Sequence, residues 1–319
     1  MSGLFQLILN FGIAVALACC FLASPVYSSP NPNTDITASD FFKLGVQKMQ
    51  NSNYQEAMTD FSEAIRFKSD FAAAYSNRCL AYLQLADYQN AIADCNKALN
   101  FTPNNVEVYL NRGLAHLRQG DYQAAIADNN QVIVLKPYDF RAYYNRGVTH
   151  AMLGNYQQAI SDYNLALTQI PQTSNLLLAD IYNDRGLAHF QLSDLQFAML
   201  DFSKAIRLNS NDYRAYYNRG CACGRSGDNF CAIRDFTESL KLHPTNAQAY
   251  LNRGIAYHQL GYEQIAIADL QKAVKYFASI GETVAYDKTL DYLQNLRQQL
   301  LTLSEIALIW RQDTPFFIP

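Results

Sequence analysis

The sequence predicts an all-α chain in which antiparallel helix pairs, seven of them, stack side by side as a solenoid. Three observations predict it. Arg-Gly or Arg-Cys recurs at Arg78, Arg112, Arg146, Arg185, Arg219 and Arg253, in steps of 34, 34, 39, 34 and 34 residues. In phase with it run Asp60, Asp94, Asp128, Asp162, Asp201, Asp235 and Asp269, each with an alanine three residues earlier, from Ala57 to Ala266. An aromatic residue recurs at Phe41, Tyr75, Tyr109, Tyr143, Tyr182, Tyr216 and Tyr250, and four residues after each comes a small one: Gly45, Cys79, Gly113, Gly147, Gly186, Gly220 and Gly254. A fixed period of this length marks supersecondary units that cannot bury their apolar faces alone and must stack.

Taken in order, the chain begins with a segment unlike the rest. Residues 11–23, FGIAVALACCFLA, form a 13-residue apolar run. That length suits the apolar region of a signal peptide and is short for a membrane span. Val26 and Ser28 are small enough for the positions before a cleavage site. No Lys or Arg precedes Lys43, so the usual positive flank is missing. Residues 1–28 are expected to be a signal peptide or an N-terminal membrane anchor, which would export the remainder or tether it to a membrane. Residues 29–37 read as a linker.

The repeats occupy residues 38–280, divided as 38–71, 72–105, 106–139, 140–178, 179–212, 213–246 and 247–280. The third shows the logic. Two apolar-periodic stretches flank QGDY. Gly120 can end the first helix and Asp121 can cap the second. Pro137 stops the second helix, as Pro103, Pro171 and Pro244 do in their units. Glycine inside a helix costs about 1 kcal/mol relative to alanine, so its recurrence needs an offsetting gain. Close approach of the paired helix, with the repeated alanine facing the glycine, would provide one.

Five extra residues fall within 171–186, where they lengthen the connection between the fourth and fifth units, prolong the next helix by a turn, or form a hinge. Residues 281–303 are amphipathic and read as a capping helix. Residues 304–319 form an apolar tail expected to fold back onto that cap.

Composition narrows the function. The chain has 319 residues, half of them apolar, and a net charge of -3. It lacks the basic stripe of a nucleic-acid binder. No G-x-S-x-G, H-E-x-x-H, phosphate-binding loop or G-x-G-x-x-G is present. No enzyme activity, cofactor or metal is expected. Cys79, Cys95, Cys221, Cys223 and Cys231 would remain after cleavage. Their odd count and irregular spacing do not suggest a disulfide framework. Cys223 and Cys231 flank a turn and could meet across it. His116, His150 and His189 share one repeat position that elsewhere holds Tyr82 and Tyr257, so it reads as an aromatic slot.

The period, the aromatic, the glycine, the alanine and the terminal proline together resemble the tetratricopeptide repeat family. The pattern Y-x-N-R-G followed by A-I-A-D resembles a type frequent in cyanobacterial proteins. The resemblance implies a right-handed superhelical solenoid of seven units with a concave groove. The chain departs from the family in carrying arginine where leucine is usual. That arginine is expected to pair with the repeated aspartate, of its own hairpin or of a neighbour, and counting leaves one aspartate single either way.

The resemblance also implies a site. Beside each arginine lies Asn77, Asn111, Asn145, Asp184, Asn218 or Asn252, at a position that lines the family's concave groove. An asparagine amide can both donate to and accept from an extended peptide backbone. Tyr144, Tyr217, Arg118, Arg141, Arg214 and Arg225 are expected to join the groove. The family's clamp for a C-terminal carboxylate is not expected, because its matching positions are apolar here: Leu110, Leu114, Tyr144 and Val148. The implied function is a non-enzymatic scaffold holding an extended segment of another protein, in the setting of an envelope or membrane complex. An accessory subunit of an enzyme on another chain, and a self-assembling solenoid, are the alternatives.

Overall fold

Each repeat folds as two helices because its apolar residues follow the helical period and its polar residues mark both ends. The computed structural model describes residues 36–313, with side chains described as far as residue 302. The residues before 36, including the apolar run at 11–23, and those after 313 lie outside the described residues. Among the described residues there are helices and no strands, and no helix is long and apolar enough to cross a membrane.

The chain divides into two compact units at residues 177 and 178. The first holds four hairpins: α1 (Ala38–Gln50) with α2 (Tyr54–Phe67), α3 (Ala72–Gln84) with α4 (Tyr88–Phe101), α5 (Val106–Gln119) with α6 (Tyr122–Leu135), and α7 (Phe140–Met152) with α8 (Tyr156–Gln169). The second holds three: α9 (Asn175–Gln191) with α10 (Leu195–Leu208), α11 (Tyr213–Arg225) with α12 (Asn229–Leu242), and α13 (Ala247–Gln259) with α14 (Glu263–Ile280). It ends in α15 (Thr283–Asp313). The five extra residues lengthen a helix: α9 has 17 residues, whereas α7 and α11 have 13. At the other end, residues 304–313 prolong α15 where the sequence reading has them fold back. No glycine or proline lies between Gly281 and Pro315 to stop it.

Caps and turns follow the local sequence. The Asp121 side chain accepts from the Ala124 N–H at 3.1 Å, so it caps α6 as expected. Each hairpin turn contains one residue in the left-handed region, at Ser52, Ala86, Gly120, Gly154, Ser193, Gly227 and Gly261. Glycine takes that conformation without a Cβ penalty; Gly120, with φ of 88°, is the clearest case. The helix stops also hold: α4, α6, α8 and α12 each end two residues before Pro103, Pro137, Pro171 and Pro244.

The repeated alanines are the floor of the core; all seven are 0% exposed. The glycines are buried as well, but what they face corrects the expectation. The group opposite each is the residue four positions after the alanine. A Cβ on Gly186 would lie 2.7 Å from Cε1 of Phe202, and one on Gly220 would lie 2.8 Å from Cε1 of Phe236. Tyr163 faces Gly147 and Phe61 faces Gly45 in the same way. The glycine therefore makes room for a ring edge. At Gly113 and Gly254 the alanine is also among the nearest groups, through the Ala125 and Ala266 carbonyl oxygens at 3.5 and 3.2 Å.

This pairing explains a disulfide that sequence spacing concealed. In the second hairpin Cys79 stands at the glycine position and Cys95 at the ring position, and the two are bonded with Cα atoms 5.5 Å apart. Cys223 and Cys231 are also bonded, across the turn of α11 and α12. Among the described residues there are thus two disulfides, and Cys221 is the free cysteine. The expectation of no disulfide framework fails because sixteen residues is the register of the hairpin itself, the spacing that also pairs Arg78 with Asp94.

Under reducing conditions, Cys95→Phe alone is expected to cost about 1–3 kcal/mol through overpacking against Cys79. Adding Cys79→Gly should recover most of that loss. A double variant less stable than the single one in urea titration would contradict the pairing.

Candidate functional site

The first helices carry two polar rows, and they play different parts. The arginine row is structural. Arg78, Arg112, Arg146, Arg185, Arg219 and Arg253 each bond the aspartate of their own hairpin through Nε and Nη2, at 2.6–3.2 Å. Partnership within the hairpin settles what counting left open. The first hairpin has Leu44 in place of the arginine, yet its Asp60 is not single: Lys48, one turn further on, reaches it at 2.8 Å.

The same arginines also tie hairpins together. Nη1 donates back to the preceding hairpin's second helix: Arg78 to Ser62, Arg112 to Asn96, Arg146 to Asn130, Arg219 to Ser203 and Arg253 to Thr237, at 2.5–3.0 Å. Each guanidinium also lies over the ring of the aromatic three residues earlier, 5.3–6.0 Å from its centroid. One planar cation with five donors does what leucine cannot: it joins a carboxylate, a ring and a neighbouring unit at once.

A second arginine pair, in the two RAYYNRG copies, is also consumed within the fold. Arg141 bonds Asp139, which caps α7, and reaches Glu107 on α5 at 2.7 and 2.8 Å. Arg214 bonds Asp212 and, at 2.8 Å, Asp180 on α9. The Asp139 hydrogen bond, reinforced by Glu107, holds Arg141 above the ordinary arginine range against its burial. Burial would lower Arg214 as well, but Asp212 and Asp180 raise it.

The asparagine row differs between the two units. In the second, it is closed on itself. Asn218 donates to Asn183 at 2.9 Å, and Asn252 donates to the Tyr217 hydroxyl at 3.1 Å while accepting from Gln248 at 3.2 Å. Asp184 is half-buried and is also engaged within the fold. In the first unit, Asn77 donates to the Ala73 carbonyl of its own helix. The side-chain amides of Asn111 and Asn145 have no hydrogen-bond partner among the described residues, and neither is sealed from solvent.

The remaining residues of the expected groove divide likewise. Tyr144 and Tyr217 are buried, at 4% and 8% exposure, with their rings against Tyr163 and Phe236. They underlie the rows rather than project from them. Arg225 donates to the Phe190 carbonyl and the Ser193 hydroxyl and lies over the Phe190 ring. Arg118, on α5, is half-buried, and no carboxylate or carbonyl accepts from it among the described residues. Burial lowers its pKa, and only the tyrosines Tyr88 and Tyr144 oppose the shift.

Other clusters offer less. Cys223, Cys231 and Asp235 bring ligand atoms within 4.8 Å of one another, but the cysteines are bonded together and Arg219 holds Asp235. His116 and His150 sit half-buried with Nε2 3.9 Å from Asp128 and Asp162. Burial pushes the free Cys221 thiol up to about 11, which makes it a weak nucleophile.

Three family models match the chain: "Tetratricopeptide repeat" over residues 110–174, "TPR repeat" over 80–120, and "Tetratricopeptide repeat" over 236–274. The chain is a tetratricopeptide repeat protein. No curated protein matches its sequence at a significant level. Solved structures share the fold at low identity. A tetratricopeptide repeat protein from Parabacteroides merdae ATCC 43184 is 18% identical with a TM-score of 0.61, covering 79% of this chain and 98% of that one. The Pseudomonas aeruginosa pilF protein is 16% identical with a TM-score of 0.58, covering 69% and 97%. A chain of the APC/C hetero-tetramer Cut9–Hcn1 is 20% identical with a TM-score of 0.59, covering 69% of this chain and 43% of that one. The tetratricopeptide fold is that of a protein–protein interaction scaffold, and its partners are other proteins.

Proposed function

We propose that this tetratricopeptide repeat protein is a non-enzymatic scaffold that holds an extended segment of a partner protein against the asparagine row of its first helices. The observation that carries this reading is the state of Asn111 and Asn145. They stand at one repeat position on α5 and α7, Asn111 at 9% exposure and Asn145 half-buried, and their amides, not fully sealed, have no partner among the described residues. A primary amide offers both donor and acceptor, which matches the alternating groups of an extended backbone. Arg141 and Arg214, engaged with carboxylates, serve in this reading to hold the groove wall. A hydrogen bond contributes about 0.5–1.5 kcal/mol net, whereas micromolar affinity needs about 8 kcal/mol, so the amides orient a segment whose side chains must add the rest.

The same reading places the scaffold across or on a membrane, exported or anchored through residues 11–23, in the assembly of an envelope or membrane complex. The support is the length and composition of that apolar run.

The test uses the full chain and a degenerate library of ten-residue peptides in fluorescence polarisation. Replacing both Asn111 and Asn145 by alanine should weaken binding about thirtyfold, with helicity and melting temperature unchanged. Equal binding by the wild type and the double variant would reject the row as the site.

A further inference from the structure

We infer that the segment held by the first unit carries an acidic side chain, and that its carboxylate seats on the guanidinium of Arg118. This rests on the groove reading above and adds the chemistry of the partner to it. The first observation is a contrast among arginines. The half-buried or buried guanidinium groups of Arg78, Arg112, Arg141, Arg146, Arg185, Arg214, Arg219 and Arg253 all have a carboxylate at hydrogen-bond distance. Arg118 is half-buried and has none among the described residues. Its charge is desolvated with no carboxylate at hydrogen-bond distance among the described residues, near Tyr88 of α4 and Tyr144 of α7. A cation held this way gains most from an anion that arrives with a ligand, because the desolvation cost is already in place.

The second observation is position. Arg118 follows Asn111 by seven residues, two turns along the same face of α5, a rise of about 10 Å. Helical Cα–Cβ bonds tilt toward the helix N-terminus, so the Arg118 side chain leaves α5 on the Asn111 side. A segment lying over Asn111 and Asn145 can then reach it with a glutamate or aspartate side chain. The guanidinium fork would donate to such a carboxylate bidentately, as the other arginines do within the fold. The second unit offers no equivalent: Arg225, the counterpart of Arg118 by repeat position, is bonded to Phe190 and Ser193, and its asparagines are bonded to neighbours.

The experiment uses the full chain and three degenerate ten-residue peptide libraries, with Glu, Gln or phosphoserine fixed at the central position. Wild-type protein should bind the Glu library at least tenfold more tightly than the Gln library, and the preference should shrink as salt rises. Arg118→Gln should remove the preference and leave Gln-library binding and melting unchanged; Arg118→Lys should restore part of it. Equal binding of Glu and Gln libraries, both weakened by Asn111→Ala with Asn145→Ala, overturns the acidic partner while the groove reading stands. No binding of any library overturns both. A tenfold preference for phosphoserine over Glu replaces the acidic segment with a phosphorylated one. Self-association by light scattering that Arg118→Gln abolishes makes the occupant a second copy of the chain, and overturns the proposal.

Discussion

Replacing Asp235 by alanine is expected to destabilise the second unit by about 3–5 kcal/mol, the usual loss when one member of a buried ion pair is removed. Asp235 is fully buried and accepts from Nε and Nη2 of Arg219 at 2.6 and 2.9 Å. Its removal leaves a guanidinium that is largely out of water with only the Ser203 hydroxyl, on α10, and the Tyr216 ring. Because that guanidinium joins α11, α12 and α10, amide exchange should rise in all three helices. Two further variants separate the pair from the packing. Asp235→Leu combined with Arg219→Met should recover most of the loss, since an apolar pair of similar volume removes the uncompensated charge. Glu63→Ala, which breaks the exposed Glu63–Arg66 pair, should leave the urea midpoint unchanged within error. A small effect of Asp235→Ala would show that the arginine row is decoration on a fold held otherwise.

Phe202→Ala should cost a similar amount, about 3–5 kcal/mol, by opening a cavity. Phe202 is fully buried and its ring edge fills the space that Gly186 leaves open. The surroundings cannot collapse into the hole, because one wall is a glycine with no side chain to move. Phe202→Leu should cost much less. The seventh hairpin already uses that solution, with Leu270 opposite Gly254. Urea titration of both variants measures the difference, and equal losses for alanine and leucine would contradict the ring-in-glycine packing.

Much of the candidate site was legible in the sequence, because a repeat prints each structural role several times. The row containing Asn111 and Asn145 stood out by its phase. Whether its amides were free did not, since Asn145 and Asn218 are identical in sequence context, RAYYNRG, and differ only in what the preceding first helix presents. Leu110 lies 35 residues before Asn145 and offers no side-chain acceptor, whereas Asn183 lies 35 residues before Asn218 and accepts from it. Arg118 and Arg225 diverge for the same reason: residues 190 and 193 provide acceptors for one, and no counterpart does for the other.

The chain's own order determined the helix pairs, their caps and stops, and the pairing of the repeated arginine with the repeated aspartate. These depend on residues within one turn or one hairpin, where spacing alone sets which groups meet. Tertiary structure decided the rest: that a ring edge fills the space at Gly45, Gly147, Gly186 and Gly220, that Cys79 and Cys95 take that same place, and that Arg78, Arg112, Arg146, Arg219 and Arg253 reach into the hairpin before their own. Those contacts depend on the depth and tilt at which helices pack, which side-chain shapes set jointly and no linear spacing records.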